Sequence, residues 1–189
     1  MPRDKEDARK RLVKAAIELF AEKGFDHTTA AQIAARAGVT ARTFFRHFPD
    51  KREVLFEGQT ILGAVLSQAI TEAPPELSPI ETLRRAFASI TEMLEQNRRF
   101  SEPRQHIISA TPALQEREVA KHAAIARVVG EALQKRGVKT RRANLAAQTG
   151  LAVLSYALDA WFVDPSSRLA NYLDSAFAEL QDLSSPTDR

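Results

Sequence analysis

Apolar residues recur along this chain at intervals of three and four positions, and no stretch alternates with the two-residue period of a strand. The first clear case runs from about residue 5 to residue 23. Leu12, Ala16, Leu19 and Phe20 fall on one face there, and Gly24 follows in the position of a helix-closing cap. The pattern therefore predicts an all-α protein, with about nine helices along the chain.

Two short helices joined by a tight turn are predicted between residues 28 and 48. Thr29 and Gln32 have the capping-box spacing, so a helix should begin near Ala30. Gly38 stands where the chain must enter the left-handed region that closes this helix. Thr40 can then cap a second helix. Such a pair is typical of a helix-turn-helix.

The second of these helices has two different faces. Phe44 and Phe48 lie four residues apart and share the face that anchors the helix, whereas Ala41, Arg42 and Phe45 share the other. In a helix-turn-helix the N-terminal residues of the second helix approach the base edges of the major groove. An arginine there can hold guanine O6 and N7 together, and an alanine allows contact with a thymine methyl. We therefore predict that Arg42 reads a base.

Other side chains near the turn are suited to the phosphate backbone, which fixes the docked position without reading sequence. Arg46 adds to the basic face of the second helix, and Thr29 and Thr40 flank the two helix starts. The predicted phosphate donors are Thr28, Thr43, His47 and Lys51. The whole predicted DNA-binding set is Thr28, Thr29, Thr40, Ala41, Arg42, Thr43, Phe45, Arg46, His47 and Lys51.

Residues 11–55 resemble the TetR family of bacterial transcription regulators. Residues 11–55 are about a quarter of the chain, and the resemblance within them is carried by AAIELFAEKGFDHTT (15–29), IAARAGV (33–39) and TFFRHFPDK (43–51). It implies a three-helix DNA-binding head followed by a helical domain for ligand binding and dimerisation. It also assigns Thr28, Thr43, His47 and Lys51 to phosphates and Ala41, Arg42 and Phe45 to base-proximal positions. Tyrosine is the common family residue where Phe45 stands, so one possible phosphate hydrogen bond is lost here.

Residues that commonly start or end helices predict the positions of the remaining helices. A helix from Lys51 should reach about Glu72 before a Pro-Pro pair ends it, and Ser78 should open the next. Further helices are predicted at 101–109, 111–137, 140–161 and 164–183. The resulting domains are a DNA-binding domain of residues 1–50 and a ligand-binding and dimerisation domain of residues 51–189.

The last two predicted helices carry more apolar surface than one neighbour would cover. Leu145, Ala152, Leu154, Ala157 and Leu158 spread around the helix at 140–161, and Leu169, Tyr172, Leu173, Ala176, Phe177 and Leu180 form a stripe on the final one. Pairing both helices with those of a second copy would give a four-helix interface and a twofold homodimer, whose operator should be an inverted repeat. An ordinary intramolecular core is the alternative.

A ligand chamber in the middle helices is implied by the family resemblance. The predicted ligand-binding residues are Leu62, Leu66, Phe87, Met93, Arg104, His106 and Tyr156, and His122 and Gln148 are further candidate polar anchors. An apolar effector with one anionic or polar end, such as an acyl thioester, would suit these residues. We expect no cofactor and no metal site.

Charge and composition support a DNA-binding role. Net charge is +3 overall, but residues 1–52 contain 12 basic and 7 acidic side chains, and the remainder is slightly acidic. The absence of cysteine and of an apolar export segment favours a cytoplasmic protein. The longest uncharged run, residues 143–158, is too short and polar to predict a membrane span.

These observations favour a repressor that binds a palindromic operator as a homodimer and is released by a small effector. Enzyme chemistry is not expected, because the chain has no His-Glu metal spacing, no phosphate-binding glycine loop and no nucleophile elbow. The alternative is a DNA-binding regulator or architectural protein that senses no small molecule.

Overall fold

A computed structural model describes residues 2–185, and over that range the chain is helical with no strand. The predicted all-α architecture is therefore confirmed. The elements are α1 (Pro2–Lys23), α2 (Ala30–Arg36), α3 (Ala41–His47), a 3₁₀ turn (Glu53–Phe56), α4 (Glu57–Thr71), α5 (Pro79–Ala88), α6 (Thr91–Gln96), α7 (Arg98–Ser109), α8 (Pro112–Lys135), α9 (Thr140–Val163) and α10 (Leu169–Ser184).

Between α3 and α7 the structure differs from the prediction in two ways. The helix predicted from Lys51 begins as the 3₁₀ turn, because the Asp50 carboxylate accepts the backbone N–H groups of Arg52 and Glu53 at 2.7 and 3.2 Å. The α-helix proper starts only at Glu57. The short α6 was not predicted as a separate piece, so residues 2–185 contain ten α-helices when every piece is counted.

The final helix starts five residues later than predicted. Asp164 was expected to open it, but its carboxylate closes a local turn instead, accepting the backbone N–H and the hydroxyl of Ser166 at 2.9 and 3.0 Å. These hydrogen bonds lower the pKa of Asp164. The Tyr172 hydroxyl donates to the Asp164 carbonyl at 2.6 Å, which fixes the turn against α10.

The described residues form two compact units, and each unit combines two separate segments of the chain. The first contains residues up to 60 together with 98–121, and the second contains 61–97 together with the residues from 122 onward. The first unit therefore includes α7 and the beginning of α8 as well as the three N-terminal helices. The domain boundary predicted at residue 50 stays a prediction.

The first unit has its own core, built on the predicted inward face of α1. Leu12 and Ala16 are completely buried, and Leu19 and Phe20 are nearly so. Other members of the same cluster come from α2, from α3 and its C-cap, from the 3₁₀ turn, and from α7 and α8: Ile33, Phe44, Phe48, Val54, Leu55, Phe56, Ile107, Ile108 and Leu114.

The second unit is held by α5, α9 and α10. At Gly150 a Cβ atom would lie 2.7 Å from Leu83 Cδ1, so the missing side chain lets α9 approach α5 closely. The apolar stripe of α10 is largely buried within this same unit, with Leu169, Leu173 and Phe177 at most 2% exposed. The large apolar side chains that stay exposed on α9 and α10 are Leu145, Tyr156, Val163 and Leu183.

One segment of the described chain, Glu53–Thr71, is long and apolar enough to cross a membrane by length and composition alone. A buried helix of a globular core passes the same test, so one such segment is weak evidence. The predicted absence of membrane contact stays a prediction.

Candidate nucleic-acid interface and ligand pocket

The start of α2 is fixed by reciprocal hydrogen bonds between its cap and its first turn. The Gln32 N–H donates to the Thr29 hydroxyl at 3.2 Å, and the Thr29 N–H donates to the Gln32 side-chain carbonyl at 2.8 Å. Both donors would otherwise lack an intrahelical partner. The predicted capping box is confirmed, and it places the N-terminus of α2 at Ala30 as expected.

The turn between α2 and α3 depends on Gly38. Its φ of +67° is in the left-handed region, and the N–H groups of Gly38 and Val39 donate back to the carbonyls of Ala35 and Ala34 at 3.1 and 2.9 Å. These two bonds form a Schellman motif, which ends α2 and redirects the chain. The angle between the two helices therefore rests on one glycine.

Gly38→Ala should lower the free energy of unfolding by about 1–2 kcal/mol, because an L-residue is strained in the left-handed region. Space is not the reason, since a Cβ atom there would lie 3.5 Å from the Arg11 guanidinium. Gly58→Ala is the matched control: Gly58 is within α4 with nothing near its missing Cβ. Urea denaturation should show no loss for Gly58→Ala, and equal losses in both variants would contradict the role of Gly38.

Two buried phenylalanines anchor α3 as predicted. Phe44 is 0% and Phe48 1% exposed, their ring centroids are 5.8 Å apart, and the Arg9 guanidinium lies 5.0 Å from the Phe48 ring. At the other end of α3 the Thr40 hydroxyl accepts the Thr43 N–H at 3.2 Å, which confirms the predicted cap. The helix is thus fixed at both ends, so its outer face has a defined orientation.

The outer face of α3 presents the side chains predicted to meet DNA. Ala41, Arg42, Phe45 and Arg46 are exposed, and Phe45 has 56% of its surface accessible although it is aromatic. Thr43 and His47 are half-buried beside them, and the two cap residues Thr29 and Thr40 are exposed. Most of the predicted DNA-binding set therefore lies on α3 or at its N-cap, and its side chains there are exposed or half-buried.

Thr28 and Lys51 are placed differently from the prediction. The Thr28 side chain is completely buried, and its hydroxyl is within hydrogen-bonding distance of the Gly24 and Leu19 carbonyls, at 2.9 and 3.3 Å. The Lys51 ammonium donates to the carbonyls of Phe25 and Thr28 at 2.7 and 2.8 Å and lies 4.2 Å from the centre of the Phe25 ring. Both side chains hold the loop between α1 and α2, so this geometry does not support their predicted phosphate contacts.

Lys51→Met should weaken operator binding without changing its dependence on salt. Removing a lysine that neutralises a phosphate lowers the slope of log K against log salt by about 0.9, whereas losing a loop-holding lysine leaves that slope unchanged. Loss of its hydrogen bonds should also reduce the free energy of unfolding by about 1–2 kcal/mol. Fluorescence anisotropy with labelled operator at several salt concentrations measures the slope.

The control for Lys51 is Arg46→Met on the exposed face of α3. This variant should reduce the slope of log K against log salt and leave the free energy of unfolding unchanged. A reduced slope for Lys51→Met, with unchanged unfolding, would return Lys51 to the phosphate-contacting set.

The predicted ligand-binding residues of the second unit lie in or against its packed core, except Tyr156. In the second unit, Leu66 and Phe87 are completely buried in its core, Leu62 and Met93 pack against that core, and Tyr156 is 65% exposed on α9. A ligand contact at Leu66 or Phe87 would therefore require the core to open. These assignments stay predictions that the packing does not favour.

Of the two predicted ligand-binding residues in the first unit, one already has hydrogen-bond partners and the other is exposed. The Arg104 guanidinium donates to the Glu118 carboxylate at 2.7 Å and to the Leu55 carbonyl, and it lies 5.3 Å from the Phe56 ring centroid. His106 is exposed on α7. Arg104 is therefore bound to a partner within its own unit, which leaves it poorly placed as a ligand anchor.

A pocket of about 550 Å³ does lie in the second unit, between α8 and α9. It includes the two further candidate anchors His122 and Gln148. Its polar lining is completed by Arg127, Asn144 and Ser155, and its apolar lining by Ala123, Ala126, Leu151 and Ala152. The signal that could have found it is the helical spacing of Asn144, Gln148, Leu151 and Ser155, which places all four on one face of α9.

Comparison with known proteins agrees with this architecture. Residues 12–57 match the family described as bacterial regulatory proteins of the tetR family, and residues 77–184 match the family described as the MftR C-terminal domain. The second match alone covers more than half of the chain. A helix-turn-helix head on a helical body defines the class as DNA-binding transcription regulators.

The chain belongs to the TetR family of transcriptional regulators, and its C-terminal part to the MftR type within it. It is 28% identical over 165 residues to MftR of Mycobacterium tuberculosis, a transcriptional regulator provisionally assigned to mycofactocin biosynthesis, covering 86% of this chain and 83% of that one. It is 35% identical over 82 residues to the regulator TcmR of Streptomyces glaucescens. That match covers 43% of this chain and only 36% of TcmR.

Among solved structures, the chain is similar to the TetR-family repressor FadR of Thermus thermophilus in complex with lauroyl-CoA. The superposition has a TM-score of 0.60 with 23% identity, and it covers 96% of this chain and 97% of that one. At this identity the likeness concerns the fold.

Proposed function

We propose that this TetR-family regulator is a repressor that binds a palindromic operator as a homodimer and is released by a small effector. The observation that carries the proposal is the outer face of α3, where Arg42, Phe45 and Arg46 are exposed while Phe44 and Phe48 fix the helix from behind. Such a face matches the recognition helix of a helix-turn-helix, which enters the major groove.

The homodimer is supported by apolar surface that the chain leaves exposed on α9. Leu145, Tyr156 and Val163 are 66%, 65% and 87% exposed, and the helical period puts them on one face. The α10 stripe adds little to this argument, because most of it is buried in the second unit itself. The dimer proposed here therefore rests mainly on α9, with Leu183 as the exposed apolar residue of α10.

Release by an effector is supported by a relative and by the pocket. The FadR structure was solved with lauroyl-CoA, so the shared fold can accommodate a small molecule. Helix α4 begins in the first compact unit and continues into the second. We therefore expect α4 to transmit effector binding to the DNA-binding helices. A coupling free energy of about 1.4 kcal/mol changes operator affinity tenfold. We place this activity in the cytoplasm, without cofactor, metal or membrane.

The experiment that tests the proposal selects bound fragments from a random pool of double-stranded DNA. We expect an inverted-repeat consensus, because a twofold dimer presents two copies of α3. Arg42→Ala should then relax the preference at one base pair of each half-site by about 1–3 kcal/mol. Binding of the substituted operators by gel shift measures this loss.

Arg46→Ala serves as the control for Arg42 because it removes a neighbouring exposed arginine from the same helix. It should weaken binding to all operators by a similar factor. If no consensus emerges and the protein binds every duplex equally, the architectural alternative is the better account.

A further inference from the structure

Helix α8 contributes to both hydrophobic cores. Leu114, in its first turn, is completely buried in the cluster of the first unit, whereas Val129 and Leu133 are completely buried in the cluster of the second. The helix is unbroken from Pro112 to Lys135. Contacts that hold the beginning of α8 are therefore made to an element that is also part of the second core.

Glu53, the first residue of the 3₁₀ turn, makes two ion pairs with the beginning of α8. Arg117 Nε donates to one carboxylate oxygen at 2.8 Å, and Lys121 Nζ donates to the other at 3.2 Å. The two cations are four residues apart, so they lie on one face of the helix. Only 18% of the Glu53 side chain is exposed. A single carboxylate therefore binds α8 at two positions, one turn apart.

The 3₁₀ turn is fixed to α3 by buried apolar contacts. The three residues that follow Glu53 are at most 2% exposed, and they belong to the same cluster as Phe44 and Phe48. The Asp50 carboxylate accepts the Glu53 N–H at 3.2 Å, which orients the first residue of the turn. A displacement of α8 that Glu53 follows must therefore act on the side chains that anchor α3.

The Glu53 ion pairs differ from the neighbouring Arg104–Glu118 pair in their access to water. Arg117 is 47% exposed, whereas the Arg104 and Glu118 side chains are 20% and 14% exposed. Exposed ion pairs contribute little to stability. Without Glu53, however, Arg117 and Lys121 would be like charges one turn apart, which repel each other. The charge of Glu53 should therefore affect the position of α8 more than the folding of the first unit.

We propose that Glu53 is a positioning residue: through Arg117 and Lys121 it couples α8 to α3 and so restricts the half-site spacing that the dimer accepts on DNA. The part of this proposal that concerns spacing rests on the proposed function, because only a dimer on an inverted repeat has a spacing to select. The coupling of α8 to α3 within one protomer does not depend on it.

Operators with altered spacing test the proposal in the full-length protein. The inverted repeat selected from random DNA is synthesised with one base pair inserted or deleted between its half-sites, and a duplex with a single half-site is included. Each base pair moves a half-site by about 3.4 Å and turns it by about 34° around the duplex axis. Fluorescence anisotropy with labelled duplexes measures the affinity for each.

We expect the wild type to lose at least about tenfold in affinity at either altered spacing, because two α3 helices at a restricted separation cannot follow both half-sites. Glu53→Gln keeps the shape of the side chain and removes its charge. It should reduce this loss to about threefold or less, with affinity for the single half-site within about threefold of wild type. A substitution that only weakened the fold would lower both affinities together.

Substitutions on α8 provide the matched controls. The Arg117→Gln, Lys121→Gln double variant should relax the spacing preference as Glu53→Gln does, and combining all three changes should add nothing, because the same contact is removed from either side. Arg117→Lys keeps the cation and should retain the wild-type preference. Glu131→Gln makes the same chemical change in the exposed Arg127–Glu131 pair of α8, and it should also retain that preference.

A wild-type spacing preference in Glu53→Gln would overturn the proposal while leaving the proposed function intact. Equal losses of affinity for the selected operator and the single half-site would also overturn it, since Glu53 would then be needed only for folding. If selection yields no inverted repeat, the proposed function fails, and the coupling is decided without DNA.

Hydrogen exchange measures that coupling directly. The Phe44 and Phe48 N–H groups donate to the carbonyls of Thr40 and Phe44 at 3.1 and 2.9 Å, so their exchange reports opening of α3. We expect both amides to exchange at least about threefold faster in Glu53→Gln and in the double variant on α8, with no further increase when the changes are combined. Unchanged exchange in these variants would overturn the coupling, whatever the result with DNA.

Discussion

Phe44→Ala is expected to lower the free energy of unfolding by about 3–5 kcal/mol, the usual range for removing a completely buried phenylalanine from a core. Phe44 is 0% exposed and belongs to the cluster that joins α1, α2 and α3 in the first unit. Its ring packs at 5.8 Å from that of Phe48. Loss of this ring removes the anchor that holds α3, so operator binding should fail together with stability. Urea denaturation followed by circular dichroism measures the effect.

The adjacent residue provides the control for Phe44. Phe45→Ala makes the same substitution one position along α3, but the Phe45 side chain is 56% exposed. It should change the free energy of unfolding by less than about 1 kcal/mol, while still weakening operator binding if Phe45 meets sugar or a thymine methyl. Similar losses of stability in the two variants would show that Phe44 is not the anchor described here.

This pair of residues shows what the sequence could predict. The capping box at Thr29, the left-handed Gly38 and the cap at Thr40 depend only on residues within a few positions, and all three were predicted correctly. The inward orientation of Phe44 and Phe48 follows from a spacing of four residues in the same way. Local chemistry fixes these features, so the position of the DNA-facing helix follows from the amino-acid sequence alone.

Contacts between distant parts of the chain could not be inferred in this way. Lys51 donates to the carbonyls of Phe25 and Thr28, which are more than twenty residues away along the chain. The neighbouring sequence does not distinguish such a lysine from one that binds a DNA phosphate. Thr28 likewise turns inward because the loop ends over the C-terminus of α1. The α9 pocket residues had a visible helical spacing, but the pocket exists only because α8 packs beside them.

Arg104 is the second case of a side chain whose partner lies far along the chain. In place of the predicted ligand, it binds the Glu118 carboxylate, with Nη2 and Nη1 at 2.7 and 3.4 Å from the two oxygens. The Gln59 amide donates to the same carboxylate at 3.1 Å, and the arginine also holds the Leu55 carbonyl of the 3₁₀ turn. This network ties the segment after α3 to α7 and to the beginning of α8 within the first unit.

We therefore expect Glu118→Ala to lower the free energy of unfolding by about 2–3 kcal/mol. Only 20% of the Arg104 and 14% of the Glu118 side chain is exposed, so removal of the carboxylate strands a positive charge with little access to water. The loss should stay below the 3–5 kcal/mol typical of a completely buried pair because some water reaches both groups. Arg104→Met combined with Glu118→Leu should recover much of the loss, since neither charge then remains.

The matched control is the Arg127–Glu131 pair on α8, which has the same 2.7 Å separation but side chains that are 69% and 51% exposed. Glu131→Ala should cost no more than about 0.5 kcal/mol, because water already screens this pair. Denaturant titration of these three variants and the wild type shows whether burial or the N–O distance controls the loss of stability. Equal losses for Glu118→Ala and Glu131→Ala would show that the Arg104 network does not hold the first unit together, and would leave Arg104 open again as a ligand anchor.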